Sequence, residues 1–216
     1  MARKNAYIGS ALAALVAFIC VVIFLAASSG LPAGVLLQPY GASSEQVLSG
    51  ITQYLDKTLL FFGTDTVFPI SYLLVFVGLY VVAVDHNRWF AVLGMGTGIL
   101  TALFDLSENA FFISYALMIR NGVTVNDAAV TFIYVLTTLK WAMAFATFYA
   151  FGLAFPRGKW FEWVIVILML IFPLFGAVST ANPDLIPLRS LFMLGGMAAL
   201  GLYFVYRYRS EPTGAA

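Results

Sequence analysis

Residues 89–118 read WFAVLGMGTGILTALFDLSENAFFISYALM, a run without proline whose only charged residues are Asp105 and Glu108. An α-helix needs about 20 mostly apolar residues to cross the hydrocarbon core of a bilayer. This run exceeds that length, and its two carboxylates lie far from both of its ends. We therefore predict a transmembrane helix that carries an acidic pair near the middle of the membrane.

Five more apolar runs are long enough to span a bilayer, giving predicted spans at residues 7–27, 59–84, 89–118, 128–155, 160–180 and 188–206. The 216-residue chain is 62% hydrophobic and 10% charged, whereas about a quarter of the residues in a soluble domain are charged. This composition excludes disordered, coiled-coil, collagen-like and nucleic-acid-binding proteins. We predict an all-α, six-helix transmembrane bundle that forms a single integral membrane domain over residues 1–216.

The distribution of Lys and Arg predicts how the bundle is oriented, because cytoplasmic loops are enriched in both. With the N-terminus inside, seven of the 11 Lys and Arg residues lie inside, three lie outside, and Lys140 lies within a span. We therefore expect both termini to be cytoplasmic (N-in/C-in), in a bacterial inner or plasma membrane. The first run follows Arg3 and Lys4. We interpret it as a retained span, because it is long for a signal peptide, which is the alternative.

The first outer loop contains a predicted amphipathic helix at about residues 44–57. Ser43 and Gln46 fit a capping box at its start. Its apolar residues recur at helical spacing: Val47, Leu48, Ile51, Tyr54, Leu55 and Phe62. We interpret this segment as an interfacial helix on the outer leaflet, and a lid over an outward-facing cavity is the alternative.

A polar cluster is predicted in the middle of the bundle. Asp105, Glu108 and Asn109 are three or four residues apart, so they share one face of the third span. Lys140 has a similar depth in the antiparallel fourth span, and Thr137 shares its face. A single charged side chain costs at least ~2.5–3.5 kcal/mol at the centre of a membrane helix. We therefore expect the acidic pair and the lysine to meet, because pairing lowers that cost.

The second span adds two polar residues to this cluster. Asp65 and Tyr72 are seven residues apart on one helical face, and Pro69 between them cannot donate a backbone hydrogen bond to the Asp65 carbonyl. The predicted ligand- or proton-binding site comprises Asp65, Tyr72, Asp105, Glu108, Asn109 and Lys140. Its three carboxylates exceed its one lysine, so we expect a protonated carboxyl or a bound cation. The alternative is an ion pair that only holds two helices in register.

Cofactor sites are poorly supported by the sequence. His86 and Cys20 are the single histidine and the single cysteine of the chain. Haem held by two histidines, a thiolate cluster and a histidine-rich zinc site all need more of these ligands. We therefore expect no cofactor and no bound metal.

Several other residues have structural interpretations. Arg189 and Glu162 are interpreted as interfacial residues at the ends of their spans. Glycines allow membrane helices to approach closely. We expect such close packing at Gly94, Gly98, Gly195, Gly196 and Gly201.

Three short motifs occupy the second to fourth spans. They are Asp65-x-x-Phe68-Pro69-x-x-Tyr72, Asp105-x-x-Glu108-Asn109 and Lys140-Trp141. This pattern resembles that of an uncharacterised group of small polytopic membrane proteins encoded in many bacteria. The resemblance implies a polytopic fold with a polar core, and it implies no activity.

Three functions fit these observations. The first, which we favour, is binding or transport of a small molecule or ion, coupled to protons through Asp105 and Glu108. The second is an intramembrane enzyme that acts on a lipid or isoprenoid substrate, with a buried carboxyl as general acid. The third is an accessory subunit of a larger membrane complex. The expected partners are the lipid bilayer, a small apolar or lipid ligand, and further subunits in a homo-oligomer or larger complex; nucleic acid is not among them.

Overall fold

The computed structural model describes residues 2–28, 43–182 and 185–211, which form α-helices and no strand. The helices are α1 (Ala2–Ser28), α2 (Ser44–Gln53), α3 (Leu55–Asp65), α4 (Val67–Ala83), α5 (Arg88–Arg120), α6 (Asp127–Ala154), α7 (Trp160–Ala181) and α8 (Ile186–Ser210). Six helical segments are long and apolar enough to cross a membrane. The predicted all-α, six-helix transmembrane bundle is therefore confirmed.

α3 and α4 together form the second span, Leu55–Ala83. The helix is interrupted at Thr66, next to the Asp65 carbonyl that Pro69 leaves without a backbone donor. Thr66 keeps right-handed helical angles, φ −65° and ψ −29°. The irregularity therefore lies beside a predicted site residue.

The amphipathic helix begins where the sequence predicts and ends earlier. The Ser43 side chain accepts a hydrogen bond from the Gln46 backbone at 3.2 Å, and Gln46 Oε1 accepts one from the Ser43 backbone at 2.9 Å. The predicted end near residue 57 is wrong, because Tyr54 leaves helical geometry (φ −122°, ψ 38°). Residues 55–57 instead begin the second span. Loop residues 29–42 lie outside the described residues.

The apolar face of α2 is covered by protein. Val47 and Ile51 are buried, and α2 contacts α5 and α6. The helix therefore rests on the bundle, with its polar face directed away from the core.

The six spans form a ring in chain order, and α8 closes the ring against α1. Lys4 Nζ lies 5.3 Å from the centroid of the Tyr208 ring, so α1 begins beside the point where α8 ends. We call this end of the bundle the terminal end, and the other end the opposite end. The ring leaves room for a cavity at its centre.

Glycine allows close helix packing at three of the five predicted positions. A Cβ atom would lie 2.6 Å from the Phe76 ring at Gly98, 3.0 Å from the Phe151 ring at Gly94, and 3.4 Å from Ala14 Cβ at Gly201. The prediction is wrong for Gly195 and Gly196. There a Cβ atom would meet no atom of the described chain within 4 Å, because the neighbouring helix does not approach α8 at this level.

Candidate functional site

The centre of the site is an ion-paired triad that joins α5 and α6. Lys140 Nζ donates a hydrogen bond to Asp105 Oδ1 at 3.0 Å and forms a second ion pair with Glu108 Oε2. Both carboxylate side chains are only 6% exposed. The structure therefore brings the acidic pair and the lysine together, as their positions in the sequence predict.

Two hydroxyl groups complete the hydrogen bonding of the triad. The Tyr72 hydroxyl, from α4, donates to Asp105 Oδ2 at 3.0 Å. The Thr137 hydroxyl, from α6, lies 2.8 Å from Glu108 Oε1 and donates to it. The two hydroxyls and Lys140 thus hold both carboxylates in fixed orientations across three helices.

Asp65 differs from the other two carboxyls in having no cation of its own. It is 7% exposed, and no Lys or Arg of the described chain lies within ion-pair distance of it. Asn109, which is fully buried, lies beside it. By strict distance and angle criteria neither polar atom of the Asn109 side chain forms a hydrogen bond among the described residues, although this side chain is close enough to interact with the Asp65 carboxyl. Asp65 and Asn109 are therefore buried polar groups that form no ion pair or hydrogen bond with the triad of Asp105, Glu108 and Lys140.

A cavity of about 160 Å³ lies inside the ring of helices. A cavity of ~150 Å³ in another protein accommodates benzene. Five of the six predicted site residues border this cavity, and Asn109 does not. All six spans contribute to an otherwise mostly apolar wall, which includes Phe24, Phe68, Phe76, Phe148, Met169 and Phe172. The cavity therefore combines one polar side with a predominantly aromatic and aliphatic remainder.

Arg189 also borders this cavity, so its interpretation as an interfacial residue is wrong. It is 3% exposed, and its guanidinium carbon lies 3.8 Å from the centroid of the Trp141 ring. The side chain turns inward because it stacks on this ring, an arrangement favoured by cation–π attraction. A signal was present in the sequence, since Trp141 lies in the middle of a span and membrane tryptophans concentrate near the interfaces.

The charged groups around the cavity do not balance. Among the described residues that border it, three are carboxyls and two are cationic, even when Arg189 is counted. An uncompensated charge is strongly disfavoured in an apolar environment. The described residues at the cavity therefore include one more carboxyl than cationic groups, a difference that one proton or one monovalent cation would balance.

Glu162 lies in the first turn of α7, at the end of its span as predicted, and is buried by protein at 5% exposure. Its Oε2 accepts hydrogen bonds from the backbone of Gly158 at 2.9 Å and Lys159 at 3.0 Å. The first backbone N–H groups of a helix lack partners within the helix, and Glu162 supplies an acceptor where α7 begins. The Tyr203 hydroxyl donates to its Oε1 at 3.5 Å, which links α7 to α8 at the terminal end.

The triad lies deep within its helices. At ~1.5 Å per residue, Asp105 is about 26 Å from the start of α5 and about 23 Å from its end. Lys140 is about 20 Å from the start of α6 on the same basis. Half of the hydrocarbon core is about 15 Å thick. The site is therefore at the level of the membrane interior.

Comparisons with family models, curated proteins and solved structures find no match to this chain. The chain is an integral membrane protein by its six apolar spans. Its interior contains acidic and basic side chains.

Proposed function

We propose that this protein binds a small molecule in its central cavity and transports it across the membrane in exchange for a proton. The observation that supports this most directly is the position of Asp65, a buried carboxyl that borders the cavity without a paired cation. Carboxyls within membrane spans often mark proton pathways in transporters. Lys140 already serves Asp105 and Glu108, so Asp65 needs another source of compensation.

Two occupants can compensate the charge of Asp65. A proton on its carboxyl neutralises it directly, and a cationic group on a ligand neutralises it by ion pairing. Because the cavity contains only one carboxyl in excess, a bound proton removes the charge that would attract a cationic ligand, and a bound cationic ligand removes the charge that would attract a proton. Proton binding and ligand binding are therefore negatively coupled, which is the thermodynamic requirement for exchange.

The rest of the cavity indicates the body of the ligand. Its aromatic, Met and Leu lining favours an apolar group, and its volume of about 160 Å³ limits that group to roughly the size of a benzene ring. We therefore expect a small ligand with an apolar body and one positive charge. Alternating opening of the ring towards the two sides would carry it across, as in other transporters with sites near the midplane.

Proteoliposomes test this proposal. The probe is radiolabelled phenyltrimethylammonium, whose fixed charge cannot carry a proton itself. With an acidic interior, wild-type vesicles should accumulate the probe, and Asp65→Asn vesicles should not. Asp85→Asn, outside the membrane-spanning segments, is the matched control and should behave like the wild type. Accumulation of the probe that does not depend on the pH gradient, or that persists in Asp65→Asn vesicles, contradicts the proposal.

A further inference from the structure

The junction between α7 and α8 is closed at its two ends by aromatic contacts. Towards the opposite end, the Phe175 and Phe192 rings stack with centroids 5.1 Å apart. Towards the terminal end, the Phe161 ring lies 5.0 Å from Tyr206 and 6.1 Å from Tyr203. Phe161 and Phe175 are about 21 Å apart along α7 at ~1.5 Å per residue. A long stretch of this junction thus lies between the two aromatic closures.

Small and aliphatic residues occupy the middle of the junction. The antiparallel register places Leu168 of α7 opposite Gly196 and Ala199 of α8. All three border the cavity and are partly exposed on the described structure. A Cβ atom at Gly196 would meet no described atom within 4 Å. Among neighbouring spans in the described chain, α7 and α8 also have the least extensive contact. At this point the wall of the cavity is therefore built from small and aliphatic residues, at the junction with the least extensive contact between neighbouring spans.

Polar and aromatic side chains of the described residues pack near both ends of the bundle. At the terminal end, Arg207 donates a hydrogen bond to the buried Tyr7 hydroxyl at 3.4 Å, and Glu162 bonds to Tyr203. Towards the opposite end, Arg189 covers the Trp141 ring. Gly196 lies between these two ends, at the junction of α7 and α8, and borders the cavity.

We infer that the junction of α7 and α8 is a lateral entrance through which an apolar or amphiphilic ligand passes from the bilayer into the cavity. The inference rests on the proposed function, which makes the cavity a ligand site. The apolar body of such a ligand dissolves in the lipid phase, so only its cationic group has to be desolvated when it passes through this apolar entrance. Gly196 keeps the entrance open because it has no side chain.

Tryptophan fluorescence tests this entrance. The exposed residues Trp89, Trp160 and Trp163 are replaced by Phe, which leaves Trp141 at the cavity as the single fluorophore. The probe is 1-bromohexane dissolved in the vesicle bilayer, because bromine quenches indole fluorescence on contact. Wild-type Trp141 should be quenched by this probe more strongly than by aqueous acrylamide.

Substitutions on the two helices change the width of the entrance in opposite directions. Gly196→Phe should reduce the bromohexane quenching constant at least about twofold, since collision requires access to the cavity. Leu168→Ala widens the entrance and should increase quenching. Gly195→Phe is the matched control: this glycine is exposed, does not border the cavity and has open space around it. Its quenching should equal that of the wild type.

Unchanged quenching in both Gly196→Phe and Leu168→Ala overturns the lateral entrance, as does stronger quenching by acrylamide than by bromohexane. Proton-driven uptake of phenyltrimethylammonium that persists alongside either result shows that the proposed function holds and the entrance is elsewhere. If quenching changes with the width of the entrance but uptake is absent, the entrance exists and the proposed transport function is wrong.

Discussion

The Lys140 ammonium lies 3.0 Å from Asp105 Oδ1 in the membrane interior, and the same group pairs with Glu108. One lysine of α6 therefore forms ion pairs with two carboxylates of α5, and a third carboxyl, Asp65, borders the same cavity without a paired cation. The buried charges thus divide into two classes. The triad connects helices, whereas Asp65 is available to a proton or a ligand.

Lys140→Met should destabilise the bundle strongly. Removing the ammonium leaves Asp105 and Glu108 as uncompensated buried carboxylates, which typically lowers the free energy of unfolding by ~3–5 kcal/mol. Adding Asp105→Asn and Glu108→Gln to this variant should recover most of the lost free energy of unfolding, because neither side chain is then a buried, unpaired carboxylate. Unfolding in mixed detergent micelles measures both effects. Lys57→Met, at an exposed lysine of α3, is the control and should change little.

Asp65→Asn should leave stability unchanged, because this carboxyl has no cation to lose. The change preserves the size of the side chain and, if Asp65 holds the proposed proton, exchanges one neutral group for another. The same unfolding measurement should therefore give a free energy within ~0.5 kcal/mol of the wild type. A loss as large as that of Lys140→Met would show that Asp65 belongs to the structural ion-pair network.

Gly78→Ala tests the contact between α1 and α4. A Cβ atom at Gly78 would lie 2.5 Å from Ser10 Oγ, and that hydroxyl donates to the Leu74 carbonyl at 2.7 Å. We expect a loss of ~1–3 kcal/mol from overpacking. Gly96→Ala on α5 is the control, since its Cβ meets no described atom within 4 Å. It should be neutral or stabilise by up to ~1 kcal/mol. Equal effects would contradict the close approach of the two helices.

Asp85 provides a pH-dependent prediction outside the membrane. The Arg3 guanidinium donates hydrogen bonds of 2.7 and 3.0 Å to its carboxylate and holds the pKa of Asp85 below its ordinary value. Both side chains are about half exposed, so the pair contributes less than about 1 kcal/mol. This contribution is complete above the ordinary Asp pKa of about 3.9 and is lost as the pH falls through the lower folded value.

The measurement for Asp85 is the difference in melting temperature between the wild type and Asp85→Asn. It should stay constant from neutral pH down to about pH 5 and vanish only in stronger acid. A difference that disappears already near neutral pH would indicate that another group titrates with the pair.

The sequence alone predicts the triad because its geometry follows from helix periodicity. Asp105 and Glu108 share a face by their spacing, and Lys140 has a matching depth on an adjacent antiparallel helix. These relationships lie within two consecutive spans and need no knowledge of the complete ring. The same reasoning places Thr137 beside Lys140, and the structure shows it bonded to Glu108.

Contacts between spans distant in sequence could not be predicted. The direction of the Arg189 side chain depends on Trp141, which belongs to another helix, and α8 closes against α1 only through tertiary packing. A glycine such as Gly196 is expected to allow close helix packing. The free space around it depends instead on the distance between α7 and α8. Periodicity specifies the face of a helix, and it does not specify the distance to the helix that this face meets.

Infrared spectroscopy of the reconstituted protein tests the central claim, that Asp65 holds a proton inside the bundle. The C=O stretching band of a protonated carboxyl is measured at neutral pH in the wild type, Asp65→Asn and Asp85→Asn. We expect this band in the wild type and in Asp85→Asn, and its loss in Asp65→Asn. A wild-type spectrum without the band, or a band that survives Asp65→Asn, would contradict it.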